Sequence, residues 1–335
     1  KRGWSSPGTR VPRKYPRLPM RLSRFEPASM TAAAPPPRSA QLAILLPFAV
    51  VTLIWGSTWI VIRDQLGIVP PSWSVTYRFA VAGVAMLAYA AIRRERIVMD
   101  ARAWAFAAAL AVLQFCFNFN FVYRAEGYIT SGLVAVVFAL LLVPNAVLGR
   151  FFLGQRLGRQ LLIGSGIAMA GVILLFVHEA RADPHGPGAS LAGVAWTLAG
   201  VISASIANVL QATDTARRYP MVPMLGIAML MGALFDGAIA WALTGPPVVE
   251  WRWGYLLGIA YLGVFASAIA FTLYFGILRV IGPAKAAYSS VIVPVIAMLL
   301  STVFEGYRWS GLAVAGSALA MAGLVIALRA SRPAR

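Results

Sequence analysis

From about residue 45 to residue 328 the chain alternates long apolar runs with short polar breaks. The runs extend over roughly 17–25 residues, and about 20 residues of helix cross the ~30 Å hydrocarbon core of a bilayer. They predict helices near 45–64, 73–92, 104–122, 129–149 and 160–177, then near 191–211, 222–243, 254–276, 285–303 and 310–328. Barrel strands would alternate polar and apolar residues over about ten positions, and these runs do not. The expected fold is an all-α membrane protein with ten transmembrane helices. The break at 124–128 is short, and it is what separates the third helix from the fourth.

Composition points the same way. Hydrophobic residues make up 60% of the 335 positions and charged residues 12%, whereas a soluble domain is about half apolar and a quarter charged. A net charge of +18 would suit a nucleic-acid partner. The basic residues, however, fall between apolar runs instead of forming one patch with interleaved aromatics, so no nucleic-acid partner is expected. Cys116, the single cysteine, sits inside an apolar run, which leaves no intrachain disulfide and no cysteine-rich metal site. His178 and His185 share the polar segment 178–190 and read as solvated loop residues. No metal and no cofactor is expected.

Residues 1–40 hold nine Lys or Arg, one Glu and eight Pro without an apolar run. They read as a disordered basic tail. The chain begins with Lys1, and Met30 offers a second start, which leaves the origin of residues 1–29 open. A signal peptide over 41–67 is the other reading of the first apolar run. That run is too long, lacks a cleavage site and is followed by many more spans.

The Lys/Arg bias gives an orientation. With the N-terminus cytoplasmic and the tail set aside, the inner segments hold 14 basic residues and the outer half 6. Both termini are expected on the cytoplasmic side of a bacterial inner membrane.

The two halves also resemble each other. Phe152-Leu-Gly-Gln-Arg-Leu157 matches Phe304-Glu-Gly-Tyr-Arg-Trp309 at an offset of 152, and Ala168-Met-Ala-Gly-Val172 matches Ala320-Met-Ala-Gly-Leu324 at the same offset. Pro144 and Pro294 match after a two-residue gap. Both copies straddle a junction between a fourth and a fifth helix. Five helices per copy is an odd number, so the second copy inserts upside down, as in the inverted repeats of secondary transporters. The expected units are 45–177 and 191–328.

Further motifs carry a family likeness. The first copy shows Ile54-Trp-Gly-Ser-Thr-Trp59, Tyr77-Arg-Phe79, Val122-Tyr-Arg-Ala-Glu126 and Ser131-Gly-Leu. The second shows Tyr261-Leu-Gly-Val-Phe265, Ala286-Ala-Tyr-Ser-Ser290, Pro294 and Phe304-Glu-Gly-Tyr-Arg-Trp309. In this order and spacing the chain resembles the EamA-type transporters of the drug/metabolite transporter superfamily over about 45–328. One departure is Gln155, where that family often has Glu. The resemblance implies ten helices, cytoplasmic termini and export of small polar metabolites or drugs. Amino acids or related compounds are among the expected substrates.

Within the spans a few polar residues stand out. An intramembrane charge costs at least about 2.5–3.5 kcal/mol by insertion scales, so it faces a cavity or a partner. Arg78 enters the second helix by about 9 Å at 1.5 Å per residue. It either snorkels to the outer headgroups or contacts a substrate anion, and the recurrence of Arg-Phe in the family favours the second. Asp236, in the outer half of the seventh helix, either pairs with another buried polar group or binds substrate or a proton. Gln114 and Asn118 share a face of the third helix, Asn208 and Gln211 a face of the sixth. Asn145 follows the helix-four proline. Such amides point inward, as cavity contacts or as interhelical glue worth about 0.6 kcal/mol.

Trp55 and Trp59 lie one turn apart at mid-membrane depth and are expected to line a cavity. Trp251, Trp253 and Trp309 fall at span ends, as belt residues do. The pairs Gly164/Ala168, Gly166/Ala170 and Gly316/Ala320 let backbones approach closely, for packing within the chain or at a homodimer surface. Pro144 and Pro294 kink the fourth helices, as rocking points or merely as tolerated bends.

The candidate substrate site is thus Trp55, Trp59, Arg78, Gln114, Asn118, Asn145, Asn208 and Asp236. The leading expectation is a small-molecule exporter working by alternating access, with the bilayer as its other partner. Within the same superfamily, a cationic-drug carrier would want an unpaired carboxylate, for which Asp236 is the deep candidate; a nucleotide-sugar carrier is a further alternative. A non-transporting scaffold would need a soluble domain to signal through. An enzyme is not expected, since no span holds paired carboxylates or a nucleophile with its base.

Overall fold

A computed structural model describes residues 38–154, 158–182, 187–281 and 289–329. Among these, ten long helices follow one another: α1 Arg38–Asp64, α2 Pro71–Ile92, α3 Ala101–Ala125, α4 Ser131–Leu153, α5 Arg159–Ala182, α6 Pro187–Gln211, α7 Met221–Thr244, α8 over 253–281, α9 Ser289–Phe304 and α10 Gly311–Arg329. A single turn, Asp214–Arg217, lies between α6 and α7. Eight helices are long and apolar enough to cross a membrane, and α9 and α10 add the shorter apolar stretches Ile292–Phe304 and Gly311–Ala327. The break after Ala125 is real: a turn at 126–130 separates α3 from α4.

Helix ends differ from the sequence expectation in explicable ways. Arg38 already lies in α1, so 38–40 are helical and not tail. α4 runs on to Leu153 because its stop is Gly154, which takes the left-handed conformation at φ 67°. Gly306, after α9, has the same φ of 67°. A helix C-terminus often closes on such a residue, and glycine adopts it without a Cβ penalty. This is the physical content of the Gly in the two matching Phe-Leu-Gly and Phe-Glu-Gly motifs. Gln155, His185, the 1–37 segment and the Ala286-Ala-Tyr stretch lie outside the described residues.

The repeat is visible at the level of atoms. α5 and α10 cross back to back through small residues. A Cβ on Gly171 would stand 2.3 Å from the Ala320 nitrogen, and one on Gly323 would stand 2.2 Å from the Ala168 nitrogen. A Cβ on Gly164 would meet the Ala327 nitrogen at 2.3 Å, and one on Gly316 the Leu175 nitrogen at 3.0 Å. Each pair maps onto the other at the offset of 152, the reciprocity a two-fold axis demands. Gly164/Ala168 and Gly316/Ala320 therefore serve packing within the chain, while Gly166 and Ala170 face outward.

The other contacts follow the same exchange of first helix for sixth, second for seventh and so on. α2 packs on α7, α3 on α6 as α8 on α1, and α4 on α6 as α9 on α1. α3 and α8 each carry a π-helical stretch, Ala111–Phe117 and Tyr261–Ile269, starting at positions offset by 150. Such wide turns loosen the regular ladder and recur at functional sites. Here a side chain of the opposite repeat meets a carbonyl in each: Ser203 of α6 donates to Leu113 O at 2.8 Å, and Trp55 of α1 donates to Ala266 O at 3.2 Å.

Large apolar side chains cover the outside, among them Leu53, Val84, Ile173 and Leu234. Water would penalise such a surface, whereas lipid does not. Trp251 and Trp253 stand exposed where α8 begins, as interfacial residues do.

Candidate functional site

Between the repeats lies a cavity of about 170 Å³. α1, α3, α4, α6, α8 and α9 contribute to its wall, with Arg78 reaching in from α2. Trp55, Trp59, Arg78, Gln114, Asn118 and Asn208 all line it. The volume is close to that of a cavity known to take benzene, so it suits a small molecule.

Arg78 is 2% exposed, which removes the snorkelling reading. Its Nε donates to Ser267 Oγ at 3.1 Å, and its Cζ lies 4.3 Å from the Phe119 ring centroid and 5.4 Å from that of Phe79. A desolvated cation over an aromatic face gains up to about 2 kcal/mol or more. Ser267 belongs to the π-helical turn of α8, and its own proton goes to Leu262 O, five residues back, at 2.8 Å. The wide turn thus aims a hydroxyl acceptor at Arg78. Nη1 of Arg78 is buried with no partner, and among the described residues no carboxylate lies within ion-pair distance of it. A guanidinium held by one hydroxyl and two rings retains capacity for an anion.

The amides add acceptors. Asn118 Nδ2 donates to Gln114 O at 3.4 Å, while Gln114 Oε1 and Asn118 Oδ1 are buried without donors. Gly200 of α6 packs beside the Asn118 side chain. The rest of the wall is aromatic. Trp55 stands 5.6 Å from Phe271 and 4.9 Å from Tyr274, and Trp59 stands 5.6 Å from Phe138, all measured between centroids. Trp59 Nε1 has no partner.

Two expected site residues lie elsewhere. Asn145 Oδ1 accepts from Ser205 Oγ at 2.8 Å and from Asn208 Nδ2 at 3.4 Å. It joins α4 to α6 and is not part of the cavity wall. Asp236 is fully buried, but between α7, α3 and α2: its Oδ1 accepts from Asn120 Nδ2 at 2.6 Å, and Asn120 Oδ1 accepts from Ser72 Oγ at 2.6 Å. The pairing reading of Asp236 is the one its geometry supports.

The model of the EamA-like transporter family matches residues 42–177 and 191–329, once in each repeat. The chain belongs to the EamA-like transporter family. PagO of Salmonella typhimurium is 25% identical over 82% of this chain and 88% of its own length. An uncharacterized inner membrane transporter of Escherichia coli, YedA, is 29% identical over 76% of this chain and 80% of its own. A probable amino-acid metabolite efflux pump of Salmonella typhimurium is 25% identical over 85% and 95%. A solved crystal structure, 22% identical, matches with a TM-score of 0.62 over 88% of this chain and 100% of the other, which shows a shared fold.

As an EamA-like transporter the chain is a multi-pass membrane protein of membrane transport. Sequence reasoning missed part of its cavity. Phe119, Phe138, Phe271 and Tyr274 look like any other apolar-span residue until the helices are packed. Ser267 gave no signal either, since its role needs the wide turn. One hint was available: Tyr274 and Phe271 are three apart on a helix, so they share a face.

Proposed function

We propose that the protein moves small zwitterionic or anionic metabolites, such as amino acids, out of the cell across the inner membrane by alternating access. The observation that carries this reading is the free side of Arg78 in an aromatic cavity between two inverted repeats. A substrate carboxylate on Arg78 Nη1 would offset the guanidinium charge. An ammonium group would suit the bare carbonyl oxygens of Gln114 and Asn118, and an apolar side chain the Trp55–Phe271 wall. The likeness to a probable amino-acid metabolite efflux pump supports the same substrate class. Two equivalent packings of inverted repeats supply the two access states.

The cationic-drug alternative loses its support, because Asp236 is tied to Asn120 away from the cavity. A cavity of about 170 Å³ suits a small metabolite better than a nucleotide sugar. The test is counterflow in proteoliposomes loaded with single unlabelled amino acids. Labelled substrate should accumulate only where internal and external compounds match, and Arg78→Gln should sharply reduce it at unchanged protein content and low substrate concentration. Accumulation of organic cations in place of amino acids would overturn the reading.

A further inference from the structure

Beside Trp59, one end of the cavity closes on polar groups drawn from both repeats. Glu126 follows α3 and is fully buried, Ser131 opens α4, Arg63 stands near the end of α1, Ser301 lies in α9 and Glu305 just past it. Ser131 Oγ lies 3.0 Å from Glu126 Oε2, 3.1 Å from Glu305 Oε1 and 3.2 Å from the Trp59 carbonyl. A hydroxyl has one proton to donate, so it satisfies only one of these three acceptors.

The two carboxyls are not equivalent. Glu305 is well supplied with donors: the Ser131 N–H reaches its two oxygens at 3.3 and 3.2 Å, Ser301 donates its hydroxyl to it, and Arg63 Nε stands 3.7 Å away. Glu126 receives none of this. Arg63 donates to its main-chain carbonyl instead, and its Oε1 is buried with no donor. An ionised carboxylate left bare in this way would be costly. A neutral carboxyl fits, with Oε2 as its donor.

We propose that Glu126, Ser131 and Glu305 form a proton-binding site that closes this end of the cavity. The proton on Glu126 Oε2 is donated to Ser131 Oγ, and the Ser131 proton goes to Glu305 Oε1. The Ser131 hydroxyl is then both acceptor and donor, and the first repeat is fastened to the second. Burial pushes the Glu126 carboxyl well above the usual carboxylate range; the Ser131 hydrogen bond opposes this, Glu305 adds to it, and Arg63 and Arg78 oppose it. The charged and titratable groups around Glu126 are thus Arg63 on α1, Arg78 on α2, Tyr123 on α3 and Glu305 beyond α9.

The sign follows. The closed arrangement holds the proton more tightly than an opened, hydrated one, so protonation favours closure at low pH, and that contribution is lost as pH rises through the closed-state pKa. Losing the proton leaves two carboxylates on a single hydroxyl, and their repulsion opens the end. By the charge bias this is the outward end. The site rests on the transport reading only for what its opening would release.

The test uses the full chain in lipid nanodiscs without substrate. Infrared difference spectra on raising the pH should show loss of a protonated carboxyl band, absent in Glu126→Gln and retained in Asp236→Asn. With Ile62→Cys, at the cavity wall, in a Cys116→Ala background, thiol modification corrected for thiolate fraction should quicken with pH by up to about tenfold per unit, the limit for one proton. Glu126→Gln keeps a donor for Ser131 and should make the rate slow and flat. Ser131→Ala, which breaks the relay, should raise the rate at acidic pH. An unchanged band or an unchanged rate profile in Glu126→Gln, or an unchanged rate in Ser131→Ala, would overturn the proposal. None of these readouts involves a substrate, so a failure of the transport reading leaves them standing, and counterflow without a Glu126 signal would sink only the proton site.

Discussion

Arg78 of the first repeat donates through Nε to the hydroxyl of Ser267 of the second, at 3.1 Å. The bond leaves Nη1 free on a wall built by six other helices. Replacing Arg78 by Gln should raise the apparent substrate constant by roughly ten- to a hundredfold, the range of one hydrogen bond to a charged group. Arg78→Lys should recover part of it, since the charge remains but the planar fork is lost. Transport kinetics at matched membrane abundance check both. A normal constant in Arg78→Gln would remove the residue from the site.

The α5–α10 crossing has no room to spare. Gly171→Val and Gly323→Val should each destabilise the protein by about 1–3 kcal/mol, and by similar amounts because the two positions are equivalent by the pseudo-two-fold. Gly166→Ala, with nothing within 4 Å of the added methyl, should be silent. Thermal unfolding in detergent separates these, and a harmless Gly171→Val would contradict the close backbone contact.

Asp236 belongs to a buried knot with Asn120 and Ser72. Asp236→Asn, which keeps shape and hydrogen-bonding atoms, should transport normally. Asp236→Ala takes one acceptor from Asn120, which keeps the Cys116 carbonyl, and should cost about 1–3 kcal/mol of stability. Specific loss of transport in Asp236→Asn, with stability intact, would return this residue to the functional set.

At the start of α3, Asp100 caps the helix by accepting from the Ala103 N–H at 2.7 Å and from Tyr219 at 2.8 Å. These bonds hold its carboxyl below the ordinary value, the Ala103 N–H contributing most. A depressed carboxyl stabilises the fold above its unfolded-state pKa, and the contribution is lost as pH falls through the folded-state value. Asp100→Asn should therefore unfold at a lower temperature than the parent at neutral pH, with the gap shrinking on acidification. A gap that widens in acid would show the sign to be wrong.

The 14-to-6 distribution of basic residues predicts that both termini lie on the cytoplasmic side. A reporter active only in the periplasm should be silent when fused after Arg335 and active when placed between α5 and α6. The reverse pattern would place the Glu126 end of the cavity toward the cytoplasm.

The sequence by itself determined the class of protein, the number of helices and the repeat. A span must be apolar over about 20 residues whatever it packs against, so composition and period suffice. The glycines after α4 and α9 were readable for a similar reason: a left-handed helix stop is a local demand. Tertiary structure alone decided which polar side chains share a space. Arg78, Gln114 and Asp236 look alike in a hydropathy pattern, each a polar residue in an apolar run, yet two line the cavity and the third is bonded to Asn120. Rotation about the helix axis and the choice of neighbour separate them, and neither is encoded in the period. Glu126 and Glu305 are 179 positions apart in the chain and fall at the ends of different spans. Only the packing of α4 against α9 brings their carboxyls to the two sides of one serine hydroxyl.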